Sequence, residues 1–159
     1  MKAQQFNKRR YRSFAEFWSD LRLLFLDFKK IKRVRLISPA FKERLMIAVT
    51  AVYGCSYCSW FHTALALRTG IDREEIIRLL SSSVGDCPED ESIALIYAQH
   101  WADSNANPQP ESTQRLEDTY GCEKAEAINL LLRMNRIGNL SGNSFDYLLC
   151  RISSGRLGG

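Results

Sequence analysis

Between residues 14 and 28, apolar and aromatic side chains recur at three- and four-residue steps: Phe14, Phe17, Trp18, Leu21, Leu24, Phe25 and Phe28. That spacing draws one stripe along a helix of 3.6 residues per turn. Ser13 with Glu16 makes a capping-box start, so the pattern predicts a helix to about residue 30. Its aromatic face is suited to a core or a subunit interface. Residues 29–35 read as a basic linker. Ser38 and Pro39 supply an N-cap and a proline at the first helical position, opening a helix over 39–52 that buries Leu45, Ala48, Val49 and Val52. Gly54 ends it, and a third helix runs from there to the stop at Thr69-Gly70. Asp72 with Glu75 starts a short helix over 71–81, and Pro88 with its acidic neighbours starts another to about residue 102. After the break at 105–110 the periodicity predicts helices at 111–119, 124–137 and 144–150. No alternating strand pattern competes, so the expected fold class is all-α, with about seven or eight helices.

The 159 residues suit one domain with a real core, 45% hydrophobic and 25% charged. The expected organisation is a single domain over 1–159, with residues 1–12 a flexible basic arm and 151–159 a flexible tail. Charge is uneven. Residues 1–35 hold eleven Lys and Arg against three acids, and the remainder eleven against fifteen. A basic arm of this kind is most simply a solvated face, and nucleic acid is not an expected partner on charge alone. No stretch approaches the roughly 18 uninterrupted apolar residues of a membrane span. No signal peptide is read, and five cysteines without a regular framework suit a reducing compartment. The expected location is cytoplasmic.

The chemistry concentrates in Gly54-Cys55-Ser56-Tyr57-Cys58-Ser59-Trp60-Phe61-His62. On a helix, Cys55, Cys58 and His62 fall at i, i+3 and i+7 and share one face. The glycine before them puts both thiols in the first helical turn, where free N–H groups and the helix dipole favour a thiolate. That setting also leaves the pair open to reagents. His62 stands one turn from Cys58 and can take its proton. If the helices before and after Gly54 form a hairpin, Glu43 and His62 differ by about 4–5 Å along the axis, within a carboxylate's reach. Glu43 then orients the imidazole, or it pairs with a neighbouring Arg or Lys instead; spacing leaves both open.

Glu43, Cys55-Ser56-Tyr57-Cys58 and His62, with twelve residues from the glutamate to the first cysteine and four from the second to the histidine, resemble the motif of AhpD-like alkylhydroperoxidases. These are part of the carboxymuconolactone decarboxylase superfamily. The text around the motif agrees, as does Asn135-Arg136-Ile137-Gly138-Asn139 farther on, and the likeness spans about residues 36–140. The resemblance implies an AhpD-like helical bundle, with the redox motif at the start of the second helix of a helical hairpin. It also implies a thiol peroxidase or dithiol–disulfide oxidoreductase without a bound cofactor. Cys58 would attack the peroxide. Cys55 would serve as proton donor and then resolve the sulfenic acid to a disulfide, with His62 and Glu43 as proton relay. The implied partners are a hydroperoxide, a dihydrolipoyl or thioredoxin-like reductant, and further copies of the chain in a trimer or hexamer. Known members carry a histidine between the cysteines where this chain has Tyr57, a weaker proton carrier at neutral pH.

Other readings use the same residues. Cys55, Cys58, His62 and Glu43 could supply four zinc ligands, although one continuous helix is an unusual source for them. A decarboxylase-like protein without peroxidase activity is a second alternative, and an interaction module built on the basic arm a third. Cys87, Cys122 and Cys150 read as isolated small hydrophobes, and His100 as a packed or surface residue.

Overall fold

The computed structural model of the chain describes residues 6–85, 87–153 and 155–158, and among these every regular element is a helix. Helix α1 (Phe14–Asp27) begins where Ser13 Oγ accepts the Glu16 N–H. It passes into a 3-10 helix (Phe28–Leu36), so the expected basic linker is itself helical. Helix α2 (Pro39–Tyr53) is capped by Ser38, whose Oγ accepts the Phe41 N–H. It is followed by α3 (Ser56–Arg68), α4 (Arg73–Leu80), α5 (Glu89–Asp103), α6 (Pro110–Tyr120) and α7 (Cys122–Ile152).

Helix α2 is the central element. It packs on α3, α4, α5 and α7, and Phe41, Leu45, Met46, Ile47, Ala48 and Val49 are all buried. A helix surrounded on every side is apolar nearly all round, which is how this segment reads. Burying an aliphatic or aromatic side chain of this size contributes about 1.5–3 kcal/mol. Val52, expected in the core, is only half-buried.

Two expectations are corrected at the C-terminal end. The predicted helices over 124–137 and 144–150 are one helix of 31 residues, about 46 Å long. The glycines and asparagines between them do not interrupt it, because each faces something specific. Asn135, Asn139 and Asn143, four residues apart, lie along α2 as rungs. Asn135 Nδ2 donates to Met46 O (2.7 Å), Asn139 Nδ2 to Thr50 Oγ1 (3.2 Å) and Asn143 Nδ2 to Tyr53 O (2.8 Å). These amides convert poor helix formers into cross-helix ties. The helix also reaches Ile152, into the expected tail. Of that tail, residues 154 and 159 lie outside the described residues, while Ser153 Oγ accepts the Leu157 N–H at 2.8 Å.

The arm also departs from the expectation of a frayed end. Its first five residues lie outside the described residues, but residues 8–12 are tied to the end of α5 and to residues 143–146 of α7. Arg9 donates to the carbonyls of Ala102 and Asp103 and pairs with the Asp103 carboxylate at 2.7 Å. The Tyr11 N–H donates to Ser144 Oγ, and Asn143 Nδ2 donates to Arg9 O. Behind the arm, buried Arg136 donates to Asp20 Oδ2 (2.7 Å), Tyr53 Oη (3.0 Å) and Asn105 Oδ1 (2.7 Å), joining α1 to α7 and to the last residue of α2. The aromatic stripe of α1 divides: Phe17, Leu21 and Leu24 are half-buried, whereas Phe14, Trp18, Phe25 and Phe28 face outward. It is therefore not a core stripe within one chain.

Candidate active site

The turn from α2 to α3 is made by Gly54, in the left-handed region at φ +69°, with its N–H closing on Thr50 O. A side chain is disfavoured there. Cys55 follows as the N-cap of α3, its Sγ accepting the Cys58 N–H at 3.4 Å. A cap position usually held by Ser, Thr, Asp or Asn is thus held by a sulfur. Cys55 is fully buried and Cys58 half-buried, and both are free thiols. The expectation that the pair is open to reagents is therefore met at Cys58 only, because α7 covers Cys55.

The two sulfurs share one proton unequally. Cys55 is drawn down from the ordinary thiol value of 9.0 to about 6. The main cause is the hydrogen bond it accepts from the Cys58 thiol, with the backbone N–H groups of Cys58 and Tyr57 adding to it and burial and the Asp146 carboxylate opposing. Cys58 is pushed up as the donor of that bond, further raised by burial and by the charge on Cys55. The two thiols therefore titrate as a pair, with Cys55 the sulfur favoured as thiolate and Cys58 the one favoured as thiol.

Glu43 and His62 meet as the hairpin geometry predicted. His62 Nδ1 stands 2.8 Å from Glu43 Oε2, and the glutamate is 2% exposed. The alternative left open by spacing is also realised, since Lys42 Nζ lies 3.3 Å from Glu43 Oε1. One carboxylate serves both partners through its two oxygens. With Nδ1 donating to the carboxylate, Nε2 remains to carry a proton. His62 is one helical turn beyond Cys58, the separation at which side chains on a helix adjoin.

Helix α7 supplies groups that local sequence patterns did not nominate. A Cβ built on Gly142 would stand 2.7 Å from Cys55 Sγ, and one on Gly138 would stand 4.0 Å from Cys58 Sγ. The helix crosses directly over the thiols. One turn further on lies the buried Asp146 carboxylate, whose proximity is the main cause of a raised Tyr57 hydroxyl pKa. Lys8 of the arm lies 3.4 Å from that carboxylate and donates to Ser56 Oγ at 3.1 Å. Tyr57, between the cysteines, is half exposed and packs its ring against Phe145 at 6.4 Å between centroids. The one available signal was the pair of glycines four apart inside a helical pattern, which marks a close approach. Lys8 and Asp146 carried no local signal.

Among the described residues, no group of three or more His, Cys, Asp and Glu side chains is gathered to hold a metal ion. The four candidate zinc ligands fall into a sulfur pair and an imidazole–carboxylate pair. His100 is half-buried, its Nε2 facing the Gln109 N–H at 3.5 Å. Cys87 is half-buried, and burial first of all raises its thiol to about 11. Cys122 is exposed and Cys150 half-buried. No helix among the described residues is long and apolar enough to cross a membrane.

An all-helical chain with a Cys-x-x-Cys pair capping one helix of a hairpin, and a histidine–glutamate pair beside it, defines a dithiol class of helical protein. Residues 21–95 match the model of the carboxymuconolactone decarboxylase family, and that stretch holds Glu43, Cys55, Cys58 and His62. The match starts before the 36–140 span of the motif resemblance and ends before α7. Comparison with curated proteins and with solved structures gave no match.

Proposed function

We propose that the chain is a dithiol oxidoreductase that reduces hydroperoxides through Cys58 and Cys55. The observation that carries the reading is the Glu43–His62 contact of 2.8 Å, one turn from a thiol pair that shares a proton. Cys55, the sulfur favoured as thiolate, takes the proton of Cys58 as Cys58 turns to the substrate. The Cys58 thiolate then attacks the peroxide oxygen and the O–O bond breaks. Sulfur is oxidised to a sulfenic acid, and the departing alkoxide takes a proton from the pair or from His62 Nε2. Cys55, deprotonated again through His62, displaces hydroxide from the sulfenic acid, which leaves as water. Two thiols and one hydroperoxide thus give one disulfide, one alcohol and one water. The fully buried position of Cys55 suits a resolving sulfur, and the half-open position of Cys58 suits an attacking one.

A dithiol reductant, dihydrolipoyl or thioredoxin-like, would return the pair to thiols. The exposed Tyr57, Trp60, Phe61 and Phe145 near the pair offer it an apolar landing surface. The outward aromatic face of α1 is suited to self-association into a trimer or hexamer. Sedimentation of the Trp18→Glu/Phe25→Glu variant tests this: a mass unchanged from the wild type would remove that face from the interface.

Sulfenate trapping tests the roles of the two sulfurs. Cys55→Ser exposed to an organic hydroperoxide is expected to yield a dimedone adduct on Cys58. A Cys58 that stays unmodified in that variant would falsify the assignment.

A further inference from the structure

A cleft of about 780 Å³ opens between the N-terminal arm, the start of α1, the end of α5 and Leu140 of α7, and Lys8 on its wall donates to Ser56, next to Cys55. Its walls carry Lys8, Arg9, Arg10 and Arg12 against the carboxylates of Glu16 and Asp103. Both carboxylates are already matched: Asp103 holds Arg9 at 2.7 Å, and Glu16 faces the buried Arg136 at 3.6 Å while accepting the Arg12 N–H. Arg10 lies flat on the Tyr147 ring, 3.7 Å from its centroid, and donates to Tyr11 O. Neither Arg10 nor Arg12 meets a carboxylate among the described residues. Two arginines without a carboxylate partner therefore line one concave space, in the size range of small-molecule sites.

We infer that this cleft binds a small organic anion through a phosphate or carboxylate group held by Arg10 and Arg12. A guanidinium presents paired N–H donors that match the oxygens of either group. Stacking on Tyr147 fixes the plane of Arg10 in advance, which reduces the ordering cost of binding. An extended polyanion is the less suitable occupant, because Glu16 and Asp103 stand in the same walls and would oppose a long phosphate backbone. The arm that builds the cleft is anchored beside the thiols: Asn143 Nδ2 donates both to Arg9 O and to Tyr53 O, just before Gly54. An anion in the cleft would be held next to the redox pair.

Anion binding needs no thiol, so the test uses the full chain carrying Cys55→Ser and Cys58→Ser, where the redox reading can fail without affecting it. Calorimetric titration with inorganic pyrophosphate, and separately with citrate, is expected to show saturable binding of at least one. Pyrophosphate alone would assign a phosphate group, citrate alone a carboxylate. Arg10→Ala/Arg12→Ala should weaken the binding by about tenfold or more. Arg10→Lys/Arg12→Lys, which keeps the charge and loses the fork, should fall between and guards against a folding defect in the alanine variant. Failure of both probes to saturate, or an affinity unchanged in both variants, would overturn the assignment. So would a single-stranded oligonucleotide that binds through these arginines when neither small probe does.

Discussion

Gly142 stands directly against Cys55: a methyl group on its Cα would lie 2.7 Å from the sulfur, closer than any ordinary contact. Glycine inside a helix costs roughly 0.5–1 kcal/mol relative to alanine, and here that cost lets α7 close over the sulfur favoured as thiolate.

A paired substitution tests this. Gly142→Ala must displace the helix or the sulfur, and overpacking of this kind costs about 1–3 kcal/mol. Gly138→Ala meets Cys58 Sγ at 4.0 Å, an ordinary contact, and should stabilise the helix by about 0.4–1 kcal/mol through the unfolded chain. Urea denaturation of the two reduced variants should therefore move in opposite directions. Equal shifts would mean that α7 does not press on the thiols.

The charge on Cys55 predicts a pH dependence. Its folded pKa of about 6 lies below the ordinary 9.0, so the unfolded chain binds more protons between those values. The stability of the reduced protein should rise as pH increases from about 6 towards 9. Cys58 has the opposite sign, raised in the fold, so the gain should reverse above about 9. Ultraviolet titration of the thiolate should show one thiol ionising near 6. Cys58→Ser, which replaces the sulfur's thiol partner with a hydroxyl, is expected to move that midpoint. A wild-type pair that titrates only near the free-thiol value would contradict the arrangement.

His62 is not among the groups that set the Cys55 value, which separates proton relay from electrostatic activation. His62→Ala should leave the low thiol midpoint near 6 while slowing hydroperoxide consumption by roughly a hundredfold or more. A rate unchanged from the wild type would exclude the imidazole from proton transfer. Loss of His62 also leaves Glu43, 2% exposed, with Lys42 as its remaining charged partner. Some loss of stability, about 1–3 kcal/mol, should accompany the change.

Asn143 ties the arm to the end of α2. Asn143→Ala removes both donated bonds, to Arg9 O and to Tyr53 O, and leaves buried carbonyls unpaired at about 1–3 kcal/mol. Limited proteolysis should cut the arm near residues 8–12 faster in the variant than in the wild type. Equal cleavage rates would show that the arm is held by its other contacts, those of Lys8, Arg9 and Tyr11.

Legibility in the sequence followed the range of the physics involved. Caps at Ser13 and Ser38, the proline at 39 and the glycine at 54 act within a few residues, and the helix starts they predict are observed. Glu43 and His62 could be paired because a hairpin converts sequence distance from a turn into axial height, and rise per residue is fixed. The continuous α7 could not be read, because Gly138 and Gly142 are weak helix formers locally and are stabilised only by what they cross. Nor could the arm be placed: Lys8 and Asp146 lie 138 residues apart and act on the thiols only through the tertiary fold. The same fold turned the aromatic stripe of α1 outward, since Arg136 draws Asp20, a polar residue, into the buried side.

The most direct test is to add one equivalent of an organic hydroperoxide to the fully reduced wild-type protein, then count thiols and map peptides. The account predicts loss of the Cys55 and Cys58 thiols together, recovered as one disulfide-linked peptide, with Cys87, Cys122 and Cys150 still free. Retention of both thiols after the peroxide is spent, or oxidation scattered over the other three cysteines, would contradict it.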